Sequence, residues 1–330
     1  RWLLGCCLFL SIGMLWAADE PDLRMLQQKA AQSRDMEGYV GVCKYLYQTE
    51  ENPELLLLYA DSIHQLATKS KKPELLVEYY IWASEGNFIK GDFQQGYALK
   101  RRAIALAEKA GLKFAISQSC CDMGYYCNVD ARYDSARYYF RKGLEAGEDL
   151  SEAGEACRTM LTNYASSFLF EGKTDSALVY TIRASERSTA DKDTAMLIEN
   201  LNQLGTIYRR KKDLENCIAN FEQALHLCEL RGNHNAVAFI YGNIATAYCD
   251  WNRPVDAIPF SEKAVEYALK TGNKRRIGTC YVNLGAIQIR LVQMRAEGIA
   301  TLLKAIPILE EVNDRRLLCD AYNYLVNAYR

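Results

Sequence analysis

The chain has 330 residues, of which 49% are hydrophobic and 25% are charged, so it can bury a sizeable core. Forty lysines and arginines oppose 41 aspartates and glutamates, which gives a formal net charge of -1. This balance excludes the strongly basic surface of a nucleic-acid-binding protein and the composition of an acidic disordered tail. With only 6 prolines and 20 glycines, the composition also disfavours a turn-rich all-β fold or a low-complexity chain.

The longest apolar run lies at the start of the sequence. Residues 2–18 read WLLGCCLFLSIGMLWAA, follow a single arginine and end abruptly at Asp19. The small residues that close the run are typical of a secretory signal peptide, and we expect residues 1–18 to be one, cleaved on export. The run is at the lower limit of length for a membrane span, so an uncleaved anchor is one alternative. A lipoprotein signal ending at Cys6 is the other.

The rest of the sequence repeats with a period of about 40 residues. In the first segment of each repeat, a large residue recurs at this spacing, at Leu204, Ile244 and Leu284. The small residue that follows it recurs in the same way, at Gly205, Ala245 and Gly285. A second block follows, with two small residues seven positions apart: Ala136 and Gly143, Ala177 and Ala184, Cys217 and Ala224, Ala257 and Ala264. Residues seven apart lie two turns apart on one helical face, so each repeat is predicted to be two antiparallel helices. The small side chains allow the two axes to approach closely, and we expect Gly205 to pack against its second helix.

Helices are therefore predicted throughout the region that follows the apolar run. The sixteen predicted ranges are 22–34, 37–49, 53–69, 73–89, 92–110, 112–129, 133–147, 152–171, 174–188, 193–211, 214–231, 234–251, 254–271, 274–292, 295–312 and 314–330. We divide them into divergent helical repeats over 19–72 and a regular array over 73–330. The last fourteen residues lie inside a helical pattern without a cap, so we expect the array to be truncated inside its last repeat.

The clearest copy of the repeat spans residues 204–224. It carries Leu204-Gly205-x-x-Tyr208 in the first helix and Phe221-x-x-Ala224 in the second. This small and large pattern resembles the tetratricopeptide repeat (TPR). The resemblance implies an all-α, right-handed α-solenoid of antiparallel helix pairs.

The 40-residue period is longer than the usual repeat of this family and implies longer helices. It is similar to the arrays of kinesin light chains, spindle-orientation adaptors and bacterial peptide-sensing regulators. Three departures weaken single copies: Gln288 and Ser261 stand where aromatic residues are expected, and one extra residue enters before Ala305.

A register of polar residues on the first helices is the main functional signal. One set recurs about every 40 residues: Asn163, Gln203, Asn243, Asn283 and Asn323. Seven residues after each comes a second set: Phe170, Arg210, Asp250, Arg290 and Arg330. In TPR arrays this face usually lines the concave groove. Amides there can pair with both backbone groups of an extended peptide, and arginines can hold carboxylates. The alternative is that the amides bond to neighbouring helices.

Aromatic residues are dense in the N-terminal third: Tyr39, Tyr45, Tyr47, Tyr79, Tyr80, Trp82, Phe88 and Phe93. We interpret them as packing residues, with a hydrophobic pocket for a partner as the alternative.

Cysteines and histidines do not form a recognisable reactive or metal-binding pattern. Ten of the 12 cysteines lie outside the apolar run, with no C-x-x-C pair and no nearby histidine, and Cys217 occupies a small-residue position. We expect buried, unpaired thiols. The three histidines match no catalytic motif, and no glycine-rich phosphate loop is present. We therefore expect no enzyme activity, no metal and no cofactor.

The function predicted from the sequence is recognition of a protein or an extended peptide in the concave groove. Our first hypothesis is the extracytoplasmic sensor region of a bacterial signalling protein, exported and periplasmic or membrane-associated facing the periplasm. A free-standing exported scaffold and a cytosolic peptide-responsive regulator are the alternatives. No nucleic-acid partner is expected, and membrane contact would occur only through the N-terminal segment or a segment beyond Arg330.

Overall fold

A computed structural model describes residues 23–49 and 52–329. The predicted signal peptide, residues 1–18, and Arg330 lie outside the described residues. The described residues form helices and no β-strand.

The sixteen α-helices are α1 (Leu23–Ser33), α2 (Met36–Thr49), α3 (Pro53–Ser70), α4 (Pro73–Lys90), α5 (Phe93–Ala110), α6 (Lys113–Val129), α7 (Tyr133–Gly147), α8 (Gly154–Glu171), α9 (Thr174–Ala190), α10 (Thr194–Arg210), α11 (Leu214–Leu230), α12 (His234–Asp250), α13 (Pro254–Thr271), α14 (Lys274–Gln288), α15 (Arg295–Glu311) and α16 (Arg315–Tyr329). Two short 3₁₀ helices, Ser151–Ala153 and Val292–Met294, precede α8 and α15. The predicted helices are confirmed to within a few residues at each end.

The helices form two compact units, one ending at Lys173 and one beginning at Thr174. In the first unit the pairs are α2 with α3, α4 with α5, and α6 with α7, flanked by α1 and α8. In the second unit the pairs are α10 with α11, α12 with α13, and α14 with α15, flanked by α9 and α16. Each unit is thus a stack of antiparallel helix pairs.

Local sequence signals explain where the helices begin and end. Gly232 and Gly272 adopt φ angles of 65° and 66°, the left-handed conformation in which glycine ends a helix without strain. Pro254 occupies the first turn of α13, where its missing N–H has no helical partner to lose. These joints separate the pairs where the sequence predicts them.

The small residues of the first helices bring the two helices of a pair into close contact. A Cβ atom at Gly205 would lie 2.6 Å from the ring of Phe221 on α11, and Phe221 is fully buried. Gly124 meets the ring of Phe140 in the same way, and Gly285 meets Leu302. The prediction that Gly205 packs against its second helix is confirmed.

The size of the second-helix residue is matched to the first-helix residue. At the positions of α12 and α13 that correspond to Gly205 and Phe221, Ala245 and Ser261 are both buried. An alanine in the first helix leaves less room than a glycine, so a small residue replaces the large one. This explains why Ser261 departs from the aromatic pattern.

The ten cysteines of the described residues are free thiols. Eight are buried, Cys249 is half-buried and Cys319 is exposed. Cys217 lies in the packed core between α10 and α11, as its small-residue position predicts. Burial raises the pKa of the Cys217 thiol to about 11 and that of Cys43 to about 12.

We predict that Gly205→Ala destabilises the protein, because the added methyl group would overlap a buried ring that has no room to move. The expected loss is about 1–3 kcal/mol in the free energy of unfolding. Gly242 on α12 is the matched control, since a Cβ there would meet nothing within 4 Å. Gly242→Ala should raise stability by about 0.5–1 kcal/mol through helix propensity. Denaturant unfolding of both variants tests this, and equal effects would contradict the close contact at Gly205.

We also predict that a thiol reagent reacts rapidly with one cysteine of the native protein, Cys319. Buried thiols with raised pKa values carry little thiolate and are shielded from the reagent. Cys319→Ser should remove the fast phase, whereas Cys217→Ser should leave it unchanged. Unfolding without reductant should expose all ten thiols of residues 19–330. Fewer than eight would reveal disulfides and refute the packing role of these cysteines.

Candidate functional site

Capping residues set the register of the first helices in the second unit. The side chains of Asp193, Asn233, Asn273 and Asp314 each accept a hydrogen bond from the backbone N–H three residues later, at 2.9–3.1 Å. These N-caps precede α10, α12, α14 and α16. Their spacings are 40, 40 and 41 residues, so positions in the four helices can be compared by counting from the N-cap.

Polar contacts between successive first helices join residues that are 41 apart. Asn243 donates to the side-chain oxygen of Asn202 at 2.7 Å, and Arg276 donates to that of Asn235 at 3.0 Å. Nε of Arg209 lies 3.5 Å from a carboxylate oxygen of Asp250. In each case, position n of one helix meets position n+1 of the next.

These contacts define two stripes on each first helix. Positions 2, 9 and 16 after the N-cap face the next first helix, and positions 3, 10 and 17 face the preceding one. One residue turns an α-helix by about 100°, so the stripes are about 100° apart rather than on opposite sides. Positions 6 and 13 lie between the stripes. We call this part of the second unit the inner face; its residues are Glu199, Thr206, Phe239, Thr246, Thr279 and Ala286.

The predicted amides of the second unit belong to the stripe that faces the preceding helix. Gln203 is buried, and its side-chain oxygen accepts from the Thr181 hydroxyl of α9 at 3.0 Å. Gln203 therefore bonds a neighbouring helix instead of lining a groove, which was the alternative interpretation of this register. Asn243 is half-buried in its contact with Asn202, whereas Asn283 is exposed at the edge of the inner face.

Asn323 does not share this register. The N-cap of α16 is 41 residues after that of α14, because one extra residue lies between the two caps. Asn323 is therefore at position 9, turned by about 100° from the position of Asn283. It is exposed, and its amide lies 3.6 Å from the sulfur of Cys319. The prediction of Asn323 as a fifth member of the set is wrong for this reason.

The charged residues predicted beside the amides lie at position 17. Arg210, Asp250 and Arg290 are exposed. Asp250 is paired with Arg209, and the Arg290 guanidinium lies beside the Cys249 thiol, whose pKa is raised by burial and lowered in part by Arg290. These residues form the end of the inner face near the C-termini of the first helices.

In the first unit, the two predicted residues lie on α8. Asn163 is half-buried, and its backbone carbonyl accepts from the side-chain amide of Asn128 at 3.0 Å. Phe170 is half-buried, with its ring centroid 6.2 Å from that of Tyr133. Phe170 thus contributes to packing between α7 and α8.

Sequence reasoning missed the residues that precede Asn163 in the same register. Counting from the N-caps of α4 and α6, Trp82 and Asp122 occupy position 10. Position 6 holds Glu78 and Gln118, and position 13 holds Glu85 and Tyr125. The signal was available, because Asp122 is 41 residues before Asn163 and Trp82 is a further 40 before Asp122. This part of the first unit is acidic and aromatic, whereas the predicted set consisted mainly of amides and arginines.

A buried ion network joins three helices of the first unit. Lys100 of α5 is fully buried, and its ammonium donates to Glu85 of α4 and, at 2.9 Å, to Asp122 of α6. The Tyr126 hydroxyl donates to the second oxygen of Glu85 at 2.7 Å. Burial acts to lower the pKa of Lys100, but Asp122 and Glu85 outweigh it and raise that pKa above its ordinary value. The lysine is therefore held in its charged form.

Two other carboxyl groups sit in poorly solvated positions. Burial raises the pKa of Glu78, while the hydrogen bond from the Trp82 indole at 2.9 Å acts in the opposite direction. Burial alone raises the pKa of Glu199, on the inner face, to about 7. A carboxyl group in such a position favours any contact that supplies a hydrogen-bond donor.

Two of the three histidines, His64 and His234, take part in ring contacts. His64 stacks on Tyr79 with ring centroids 4.4 Å apart, and His234 lies 5.6 Å from Tyr267. Within residues 23–49 and 52–329, no group of three His, Cys, Asp or Glu side chains could hold a metal ion. Over the same residues, no helix is both long enough and apolar enough to span a bilayer.

Comparison with known proteins identifies the repeat. The family model described as "Tetratricopeptide repeat" matches residues 196–270, which cover α10 to α13. No curated protein matches the sequence significantly.

Several solved structures share the fold over more than nine-tenths of this chain. A Signal Transduction ATPase with Numerous Domains from Pyrococcus horikoshii, with a tetratricopeptide repeat sensor, has a TM-score of 0.64 at 16% identity; the match covers 94% of this chain but 50% of that one. The apo quorum sensor NprR from B. thuringiensis has a TM-score of 0.61 at 15% identity, covering 93% of this chain and 87% of its own. Aspartyl phosphate phosphatase F from Bacillus subtilis has a TM-score of 0.59 at 14% identity, with the same coverage of 93% and 87%.

At these identities the likeness concerns the fold, and it agrees with the predicted α-solenoid of helix pairs. The 40-residue register, the glycine contacts within the pairs and the match at residues 196–270 point to the same family. Residues 196–270 match the tetratricopeptide repeat family, and the described residues share the fold of helix-pair arrays of this kind.

Proposed function

We propose that the chain is a protein-binding module whose second unit holds an extended peptide against the inner face. The observation that carries this proposal is a strip of accessible polar residues on and beside the inner face. Thr246, Asn283 and Arg290 are exposed there, although the helices that bear them are otherwise well packed. Exposed polar groups that recur on successive helices suit a ligand that crosses them one after another.

The chemistry of the strip matches a peptide backbone and acidic groups. The hydroxyls of Thr206, Thr246 and Thr279 donate to backbone carbonyls of their own helices and can accept from peptide N–H groups. The Asn283 amide can both donate and accept, as peptide groups require. Arg290 offers a planar fork that binds carboxylates through two hydrogen bonds. Thr206 and Glu199 extend the strip onto α10, where the protonated form of Glu199 would add a donor.

Binding rather than catalysis is the proposed mode of action. Aspartyl phosphate phosphatase F is an enzyme with a similar fold, but at 14% identity the similarity to it concerns the fold alone. In this chain His64 and His234 take part in ring contacts, and the carboxylates of the buried Glu85 and the half-buried Asp122 are bonded to Lys100.

We propose further that the module acts after export, as the extracytoplasmic sensor region of a signalling protein. The apolar run at residues 2–18 supports export. Two structural neighbours, one with a tetratricopeptide repeat sensor and the other a quorum sensor, support a sensing role for the fold. A cytosolic peptide-responsive regulator fits those neighbours equally, so the location is the property to test.

We predict that Asn283→Ala and Arg290→Ala weaken binding of a peptide selected by display against the wild-type protein. Loss of a neutral hydrogen bond should cost about 0.5–1.5 kcal/mol, and loss of a charged one about 1.5–3 kcal/mol. The effect of Arg290→Ala should fall at high salt, because surface charge interactions are screened. Titration calorimetry at two salt concentrations measures both effects.

Asn323→Ala is the matched control for these variants, because it removes an equally exposed amide that lies outside the register. It should leave the affinity unchanged, and circular dichroism should show the same helix content in all three variants. Equal affinity of the wild type, Asn283→Ala and Arg290→Ala would place the peptide elsewhere.

For export, we predict that residues 1–30, preceded by an initiating Met, direct alkaline phosphatase to the periplasm of a bacterial host in active form. The reporter needs disulfides and is inactive in the cytosol. Changing both Leu8 and Leu10 to Arg should interrupt the apolar run and abolish activity. An inactive fusion that accumulates at normal levels would favour the cytosolic regulator.

A further inference from the structure

The first unit carries an excess of carboxylates on the helices that would face a ligand. Glu78 and Glu85 of α4 and Asp122 of α6 occupy positions 6, 13 and 10 after their N-caps. One ammonium, that of Lys100, is hydrogen-bonded to two of them. The Lys44 ammonium of α2 is a second cation near Glu78, so three carboxylates face two ammonium groups and the surface keeps a net negative charge.

The Lys100 side chain extends from the second helix of the pair to the carboxylates of the first helices. It belongs to the second helix α5, and none of its side chain is exposed. Asp122, by contrast, keeps 25% of its side chain exposed. Its Oδ2 atom accepts from Lys100, and among the described residues Oδ1 has no hydrogen-bond partner. Asp122 thus has one oxygen committed to the network and one available to a ligand.

Aromatic rings surround the carboxylates. The Tyr47 ring meets the edge of Trp82, with centroids 6.3 Å apart, and Tyr126 stacks on Phe88 at 3.6 Å while bonding to Glu85. Burial raises the pKa of Tyr47, and the nearby charges of Glu85 and Asp122 raise it further, which agrees with their proximity. Aromatic faces attract cations and tolerate the apolar stems of basic side chains.

We propose that this surface of the first unit receives a basic side chain, lysine or arginine, of a peptide ligand, with Asp122 as its carboxylate partner. The proposal rests on the peptide-binding function proposed above and adds the charge of the ligand. Glu78 lies on the same surface and strengthens the negative potential, and the rings of Tyr47 and the buried Trp82 pack against each other near the carboxylates. Lys100 is a positioning residue, which holds Asp122 and Glu85 in place without touching the ligand.

The charges of the two units support this assignment. In the second unit, the charged residues of the contact stripes are mostly arginines: Arg209, Arg210, Arg276 and Arg290. Such a surface repels a basic side chain and favours a carboxylate. In the first unit, the groups at corresponding positions are carboxylates and aromatic rings, so a basic residue has a complementary surface there.

The test is a selection from a random twelve-residue peptide library displayed on phage, using the full chain as bait. Lysine and arginine should be enriched at one position of the selected peptides. A selected peptide is then synthesised with arginine or with citrulline, which has the same shape without the charge, and with a free or an acetylated N-terminus. The arginine form should bind at least about tenfold more tightly than the citrulline form, because a charge-assisted hydrogen bond is lost. Acetylation should have no effect.

Asp122→Asn should remove this discrimination by bringing the affinity for the arginine peptide close to that for the citrulline peptide. The asparagine keeps the shape and can still accept from Lys100, so a fall in stability would not mimic the result. Glu78→Gln, which leaves the Lys100 network intact, should reduce the discrimination several-fold. Glu145→Gln, an exposed carboxylate on α7, is the matched control and should retain it in full.

Two results would overturn the proposal while leaving peptide binding in place. One is a selected pool without excess lysine or arginine, and the other is full discrimination against citrulline in both Asp122→Asn and Glu78→Gln. A library that yields no peptide above background would overturn the proposed function itself and the basic-residue site with it.

Discussion

The close approach of each first helix to its second helix is the contact on which the rest of the structure depends. At Gly205 the backbone of α10 lies so near the ring of Phe221 that not even a methyl group fits between them. This distance determines the crossing angle of the two helices of a pair. Each pair therefore presents the same helix faces to the neighbouring pairs. The stripes of polar contacts and the inner face follow from that constancy.

Much of the fold could be predicted from the sequence because the steric constraints of helix packing select particular residue types at fixed positions of each repeat. A glycine at a close contact, a large residue opposite it and a capping side chain at each helix start recur with the period and specify helix pairs. Ser261 shows the limit of such reasoning. Its departure from the aromatic pattern is explained by the structure, in which Ala245 takes the position opposite and leaves room only for a small residue.

The candidate site was predicted less well, because a period of 40 residues does not show which way a side chain points. Asn243 and Thr246 recur equally well, yet one contacts the preceding helix and the other is exposed. A single extra residue before α16 was enough to turn Asn323 onto another face. The register places Asp122, but it gives no sign of the Lys100 network, because the lysine comes from a second helix and joins two carboxylates of different first helices. Burying that charge is tolerable only because both partners are present.

The angle of about 100° between the contact stripes determines which side chains a ligand on the inner face of the second unit would contact. Positions 6 and 13 of each first helix lie between these stripes, so a chain that crosses the inner face would meet one narrow row of side chains per helix. Packed helix axes are about 8–10 Å apart, and an extended chain advances about 3.3 Å per residue, so each row samples about every third residue. An α-helical ligand, about 10–12 Å wide, would rest on the two stripes and leave the row unfilled. A ligand of the proposed site on the inner face would thus be distinguished by its backbone conformation before any of its side chains is recognised.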